Sequence, residues 1–242
     1  MQLRFHTQTA GVSLTAQQPM NNVVRTAVEA LAAVLGGTQS LHTNALDEVL
    51  ALPTEDAAKL ALRTQQIIAH ETGVPNVIDP LGGSYFIESL TDRMEEHAEG
   101  EFARILAMGQ GSMLEGVLAG IERGYFQQEI AESAFREQER YERGDLVKVG
   151  VTDFVDEGEP PLELLQIPPD VESEQIGRVR SLRERRDASA SAAALERLVD
   201  LASTDGNLLE PLVDCARALC TEGEIVDALR RVFGEYVETP RF

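Results

Sequence analysis

The sequence predicts an α/β fold: part of a parallel-stranded barrel over residues 1–109, then a mostly helical region over 110–242. Three observations predict it. Strand-like and helix-like segments alternate through roughly the first hundred residues, the order that gives parallel strands joined by right-handed crossovers. Polar residues collect where those strands would run out, which is where α/β folds gather their active groups. After Gly109 the character changes and helical segments dominate. Three strands with both faces covered do not finish a sheet, because its edges stay unpaired. The rest of the barrel is therefore expected from elsewhere.

Residues 3–9, LRFHTQT, alternate like a buried strand, and Gly11 breaks it. His6 and Gln8 share one face of that strand, because side chains two apart point the same way. From Pro19 the run MNNVVRTAVEALAAVLGG reads as an amphipathic helix. Val23, Ala27, Ala30, Leu31 and Val34 fall on one face, and Gly36-Gly37 ends it. TQSLHTN (38–44) is a second short strand leading into ALDEVLALP, which Pro53 closes. Thr54 can cap the next helix, whose body is 57–70. NVIDP (76–80) reads as a third strand, and Gly82-Gly83 as a turn before a long helix over 85–108. Helices are expected at 112–120 and 125–143, then a strand in LVKVGVTDF (146–154). The acidic, proline-containing stretch 156–170 reads as an extended linker. Helices near 172–187, 190–203 and 207–234 complete the chain, the last containing the capping box TEGE at 221–224.

Charge narrows the partners. Asp and Glu total 41 against 21 Lys and Arg, a formal net charge of −20. So acidic a surface repels phosphate backbones, which argues against nucleic acid. No apolar run is long enough to cross a bilayer and no secretory leader pattern is present, so a cytoplasmic protein with no membrane partner is expected. Lys59 and Lys148 are the only lysines, which suits either a high-salt cytoplasm or a genome rich in arginine codons. Cys215 and Cys220 are five apart, which does not put both on one helix face, and read as small buried hydrophobes rather than metal ligands.

The residues at the expected strand ends are His6, Gln8 and Gly11; Gln39, His42, Asn44 and Glu48; and Asp79 with Gly82-Gly83. The set is polar and nearly without a nucleophile, and no P-loop, GxGxxG, GxSxG or HExxH pattern occurs. Each residue also has a plain structural reading. His6 can be a core histidine bonded to a backbone carbonyl, and Gln8 and Gln39 can satisfy backbone groups inside a barrel. Asp47-Glu48 at a helix start can complement the macrodipole. Asp79-Pro80 before two glycines reads as a turn.

The wording itself carries more. RFHTQTAGVSLTAQQPMNNVVRTAVEALAAVLGGTQSLHTNALDEVLALPTE, GVPNVIDPLGGSYFIESLTDR and DGNLLEPLVDCARALCTEGEIVDALRRVFGEY resemble the methylmalonyl-CoA mutase family, large-subunit group, over essentially the whole chain. TQSLHTNALDE and DPLGGSY are long and specific motifs. The resemblance implies the last strands of a (β/α)8 TIM barrel followed by a helical segment. It also implies adenosylcobalamin as cofactor and an acyl-CoA as substrate. In the family, homolysis of the cobalt–carbon bond yields a radical that abstracts a substrate hydrogen and permits carbon-skeleton rearrangement. Carried over by position, it places His6 and Gln8 between substrate and corrin, as the catalytic pair. Gly11 would pack on the corrin, Gln39, Asn44 and Glu48 would line the cobalamin and adenosyl side, and Ala51 would lie against the ring. Val12 stands where many members carry tryptophan.

The resemblance also implies what lies outside this chain. The family's acyl-thioester ligands and about five barrel strands precede the matching segment, and its DxHxxG cobalamin motif does not occur here. The expected partners are therefore the missing N-terminal barrel segment and a small cobalamin-binding subunit, with Met1 either an internal methionine or the start of one piece of a split gene. Methylmalonyl-CoA is the default substrate. A different class of function is a non-catalytic half-barrel that docks onto a mutase or its G-protein chaperone.

Overall fold

In the computed structural model, residues 3–158 and 161–237 are described. The chain is mostly helical with a small parallel sheet, and falls into two compact units, Met1–Leu165 and Gln166–Pro240. The division lies within the acidic stretch 156–170, so the three helices after residue 84 belong to the first unit.

Strand β1 (His6–Gln8) pairs in parallel with β2 (Ser40–His42), setting His6 opposite Ser40, Thr7 opposite Leu41 and Gln8 opposite His42. Both strands are shorter than expected. Between them runs helix α1 (Asn21–Leu35), and α2 (Glu55–Glu71) follows β2. Thr54 caps α2 as expected, its hydroxyl accepting from the Ala57 N–H. Both helices bond to the same side of the sheet. Thr26 of α1 donates to the Asn44 carbonyl, Thr43 donates to the Ala61 carbonyl, and Gln65 reaches the Leu41 carbonyl. The opposite side, carrying His6, Gln8, Ser40 and His42, is exposed.

The buried stripe of α1 is Asn22, Thr26 and Ala30; of the face expected, Ala30 is buried, Val23, Ala27 and Val34 are half-buried and Leu31 is exposed. Val24 is 64% exposed and Val28 63%. The physical reason lies in what α1 packs against, since the strand ends present backbone carbonyls that require donors rather than apolar surface. Val24 and Val28 instead line a groove with Val147 and Val149.

Residues 76–80 do not form the expected strand. Gly73 is left-handed at φ 73°, Pro75 lacks an N–H, and 74–76 close a 3₁₀ turn. Val77 has extended backbone (φ −119°, ψ 136°), but its N–H turns back to the Val74 carbonyl and it has no ladder partner among the described residues; Ile78 is 97% exposed. Asp79 (φ 48°) and Gly83 (φ 79°) form the expected turn before helix α3 (Tyr85–Met108). Helices α4 (Met113–Arg123) and α5 (Tyr125–Glu142) come next. Helices α3 and α4 pack closely at Gly116, where a Cβ would stand 2.0 Å from the Ile105 carbonyl oxygen. Residues 146–154 also fail to form a strand. Gly150 (φ 81°) turns the chain so that its N–H reaches the Asp153 carbonyl at 2.7 Å. The segment serves as a strap over α1 and the loop before it: Arg25 donates to the Val149 carbonyl, Gln18 to the Phe154 carbonyl, and Lys148 to the Val12 carbonyl.

The second unit holds α6 (Asp170–Arg185), α7 (Ala188–Ala202), α8 (Leu209–Arg217) and α9 (Glu222–Phe233). Its core is Ala194, Leu198 and Cys215, flanked by Leu195, Leu212, Ile225 and Leu229. The single helix expected over 207–234 is broken into two. Leu219 is left-handed at φ 59° and the Cys220 N–H turns back to the Cys215 carbonyl at 2.9 Å, a closure that ends a helix. The capping box then starts α9, with Thr221 and Glu224 bonding each other's backbone N–H. Arg186 grips the Glu224 carboxylate with two bonds of 2.6 Å, and that pairing lowers the Glu224 pKa to about 2. Both cysteines are free, and burial pushes the Cys215 thiol up to about 11.

Candidate functional site

The site is built where β1 and β2 run out. Thr9 follows β1, and its N–H extends the ladder to the His42 carbonyl at 3.1 Å. Its hydroxyl accepts from the Asn44 N–H at 2.9 Å and donates to the Asn44 side-chain oxygen at 3.0 Å. Asn44, 2% exposed, is thereby fixed between the two chain segments. The amide of Gln8 approaches the same oxygen at 3.4 Å, and the Asn44 Nδ2 donates to Glu48 Oε1 at 3.1 Å. The result is a relay, Gln8 to Asn44 to Glu48, running from the open sheet face to an exposed carboxylate. Glu48 Oε2 has no partner among the described residues.

Gly11 sits beside the relay in a 3₁₀ turn over 11–13. A Cβ there would meet Asn44 Nδ2 at 3.2 Å and Glu48 Oε1 at 3.8 Å, so a larger residue would crowd both groups. Ala51, half-buried, ends the turn that carries Glu48, with its N–H on the Asp47 carbonyl at 3.0 Å. Next to Glu48 a cleft of about 260 Å³ is lined by His42, Thr43, Pro53, Ala61 and Gln65.

His6 lies on the open face two residues before Gln8 and bonds Ser40 through Nδ1 at 2.7 Å. Gln39 stands apart. It precedes β2, about 16 Å from Asn44 along an extended chain. Its Oε1 accepts from the Phe5 N–H at 2.8 Å and its Nε2 donates to the Gly37 carbonyl at 2.8 Å. The structure thus brings together Gln8, Gly11, Asn44 and Glu48, with Ala51 in the Glu48 turn, sets His6 one step back along β1, and leaves Gln39 at the strand entrance.

Two residues that organise the site, Thr9 and Asn22, escaped the sequence reading, and a third, Asp47, was read there only as complementing a helix dipole. Thr9 is the pivot just described. Asp47, 1% exposed, accepts the Thr54 N–H at 2.9 Å, which ties the Glu48 turn to the start of α2; its other oxygen is buried without a partner among the described residues. Asn22 is fully buried beneath the loops. A polar i, i+4 pair, Asn22 and Thr26, at the start of an otherwise apolar helix was the available signal. Among the described residues, no cluster of His, Cys, Asp and Glu is placed to hold a metal ion, and no helix is long and apolar enough to cross a membrane.

Residues 1–235 match the family model described as methylmalonyl-CoA mutase. The chain belongs to the methylmalonyl-CoA mutase family. It is 48% identical over 242 residues to the methylmalonyl-CoA mutase of Rhizobium meliloti, covering 99% of this chain and 33% of that protein. It is 45% identical over 244 residues to the 2-hydroxyisobutanoyl-CoA mutase large subunit of Aquincola tertiaricarbonis, covering 100% of this chain and 42% of the relative. Identity to the human mitochondrial methylmalonyl-CoA mutase is 44%, over 99% of this chain and 31% of the human protein. The chain therefore spans about a third to two fifths of the length of these relatives.

Proposed function

We propose that this chain forms part of a cytoplasmic acyl-CoA mutase dependent on adenosylcobalamin, with conversion of methylmalonyl-CoA to succinyl-CoA as its default reaction. The observation that carries the reading is the Gln8–Asn44–Glu48 relay beside Gly11, at the exit of two parallel strands in a mutase-family chain. The donor set fits the cofactor. Gly11 and Ala51 leave room for a large flat ring, and the free Glu48 oxygen can accept from ribose hydroxyls. When bound, adenosylcobalamin supplies the radical chemistry.

The chain's own residues bind and orient. His6 and Gln8 offer polar hydrogens from the open sheet face toward the acyl group. Asn44 holds Glu48 and Gln8 in one geometry, so both are set before the reactants arrive. Such a site gains more from fixed amides and exclusion of water than from a nucleophile. The bare polar face of the two-stranded sheet supports completion as a (β/α)8 barrel by an N-terminal segment, with a small subunit supplying the rest of the cobalamin site. Gln39 would act at a distance from the relay, from the entrance of β2.

The test combines this chain with the missing barrel segment and the cobalamin-binding subunit, and follows rearrangement. Turnover with methylmalonyl-CoA or a close acyl-CoA is expected. No turnover with any candidate acyl-CoA would sink the reading.

A further inference from the structure

The two turns that carry Gly11 and Glu48 come from different parts of the chain, and, beside the Thr9–Asn44 contact, one fully buried side chain bridges them. The first turn is rigid within itself: the Ser13 N–H bonds the Ala10 carbonyl, the Leu14 N–H bonds the Gly11 carbonyl, and buried Leu14 leads into buried Thr15. The second turn is equally closed, with the Glu48 N–H on the Ala45 carbonyl and the Leu50 and Ala51 N–H groups on the Asp47 carbonyl. Between them lies Asn22, 0% exposed at the start of α1. Its Nδ2 donates to the Thr15 carbonyl at 2.9 Å and to the Leu46 carbonyl at 2.9 Å. Its Oδ1 accepts from the Thr15 N–H at 3.0 Å and from Arg25 at 2.8 Å. Both amide hydrogens and both oxygen lone pairs are thus used, and a flipped amide would face carbonyl to carbonyl and donor to donor.

We infer that Asn22 is a positioning residue for the cofactor face: it sets the separation between Gly11 and Glu48 by bridging the main chain of both turns, while touching neither the open face nor any reactant. This rests on the functional reading above. The alternative is that Asn22 only helps the helix to dock, in which case its loss would lower stability and leave the spacing of the folded site unchanged. The distinction is physical. The Leu46 bond lies two residues from Glu48, and the Thr15 bonds lie four residues from Gly11, with no flexible segment between. A shift at either bond therefore moves the site groups directly.

The test uses the chain assembled with its barrel segment and cobalamin-binding subunit. Asn22→Asp keeps the shape and the acceptor but turns an oxygen against the carbonyls of Thr15 and Leu46. Asn22→Ser keeps a single O–H donor, enough for only one of the two carbonyls. Adenosylcobalamin affinity, read by spectral titration, is expected to weaken roughly tenfold in Asn22→Asp and less in Asn22→Ser, since buried carbonyls lose their partners. The KM for the acyl-CoA is expected to stay within about twofold. Amide exchange in the cofactor-free assembly is expected to quicken at 11–15 and 45–51 together. Unchanged cofactor affinity in the variants, a KM that rises in proportion, or failure of both variants to fold would each overturn the inference. A wild-type assembly that does not bind adenosylcobalamin would overturn the functional reading and this inference with it.

Discussion

In the α7–α9 bundle of the second unit, polar groups close on one another. Arg186 and Glu224 pair bidentately, Thr221 caps α9, and Ala194, Leu198 and Cys215 form a dry centre. In the β1–β2 layer of the first unit, polar groups are closed on one side only. Thr9, Thr26, Thr43 and Gln65 satisfy the strand ends from the helix side, while His6, Gln8, Ser40 and His42 face outward. A region whose core side chains and main polar pairs close on one another is built for its own stability. A region rigid underneath and bare on top is built to receive something.

Three experiments sharpen that contrast. The largest effect is expected from Leu198→Ala, which empties a side chain with no exposure and should lower stability by about 3 kcal/mol. Denaturant unfolding with amide exchange across α7 measures it, and a loss below about 1 kcal/mol would mean that the bundle is not a closed core. Next is acid. The Glu224 pKa lies at about 2 in the fold against 4.5 for the free group, so its contribution is fully present above pH 4.5 and fades as pH falls toward 2. Allowing for the 22% exposure of that side chain, Glu224→Gln should remove roughly 2 kcal/mol at neutral pH and flatten the acid-side decline. A pH series of melting curves for both proteins decides it, and identical slopes would contradict the pairing. The smallest effect on stability belongs to Gln8→Ala, at most about 0.5 kcal/mol because the side chain is exposed. Turnover of the assembled mutase should nevertheless fall roughly tenfold or more. Destabilisation without loss of turnover would reverse the roles assigned to the two regions.

Much of this was legible in the sequence wherever a local rule governs. The Thr54 cap, the Thr221–Glu224 capping box and the bounds of α3 follow from groups within a few residues of each other. Errors came where the outcome depends on a distant partner. Val77 adopts the strand conformation its composition favours, yet no strand among the described residues pairs with it. Residues 146–154 carry strand-like valines, but Gly150 folds them into a strap whose carbonyls bond Arg25 and Gln18. The break between α8 and α9 hangs on a left-handed Leu219, a conformation that composition does not announce.

The candidate site divides in the same way. By itself the sequence determined the family, the shared face of His6 and Gln8, and the polar character of the strand ends. Side-chain period and motif wording are properties of neighbouring residues. The tertiary structure alone decided that Asn44 is the hub, that Gln39 stands at the other end of β2, and that buried Asn22 and Asp47 pin the turns from below. Those facts depend on bonds spanning up to 36 residues, and no local pattern encodes which of several amides will find the one unpaired carbonyl within reach.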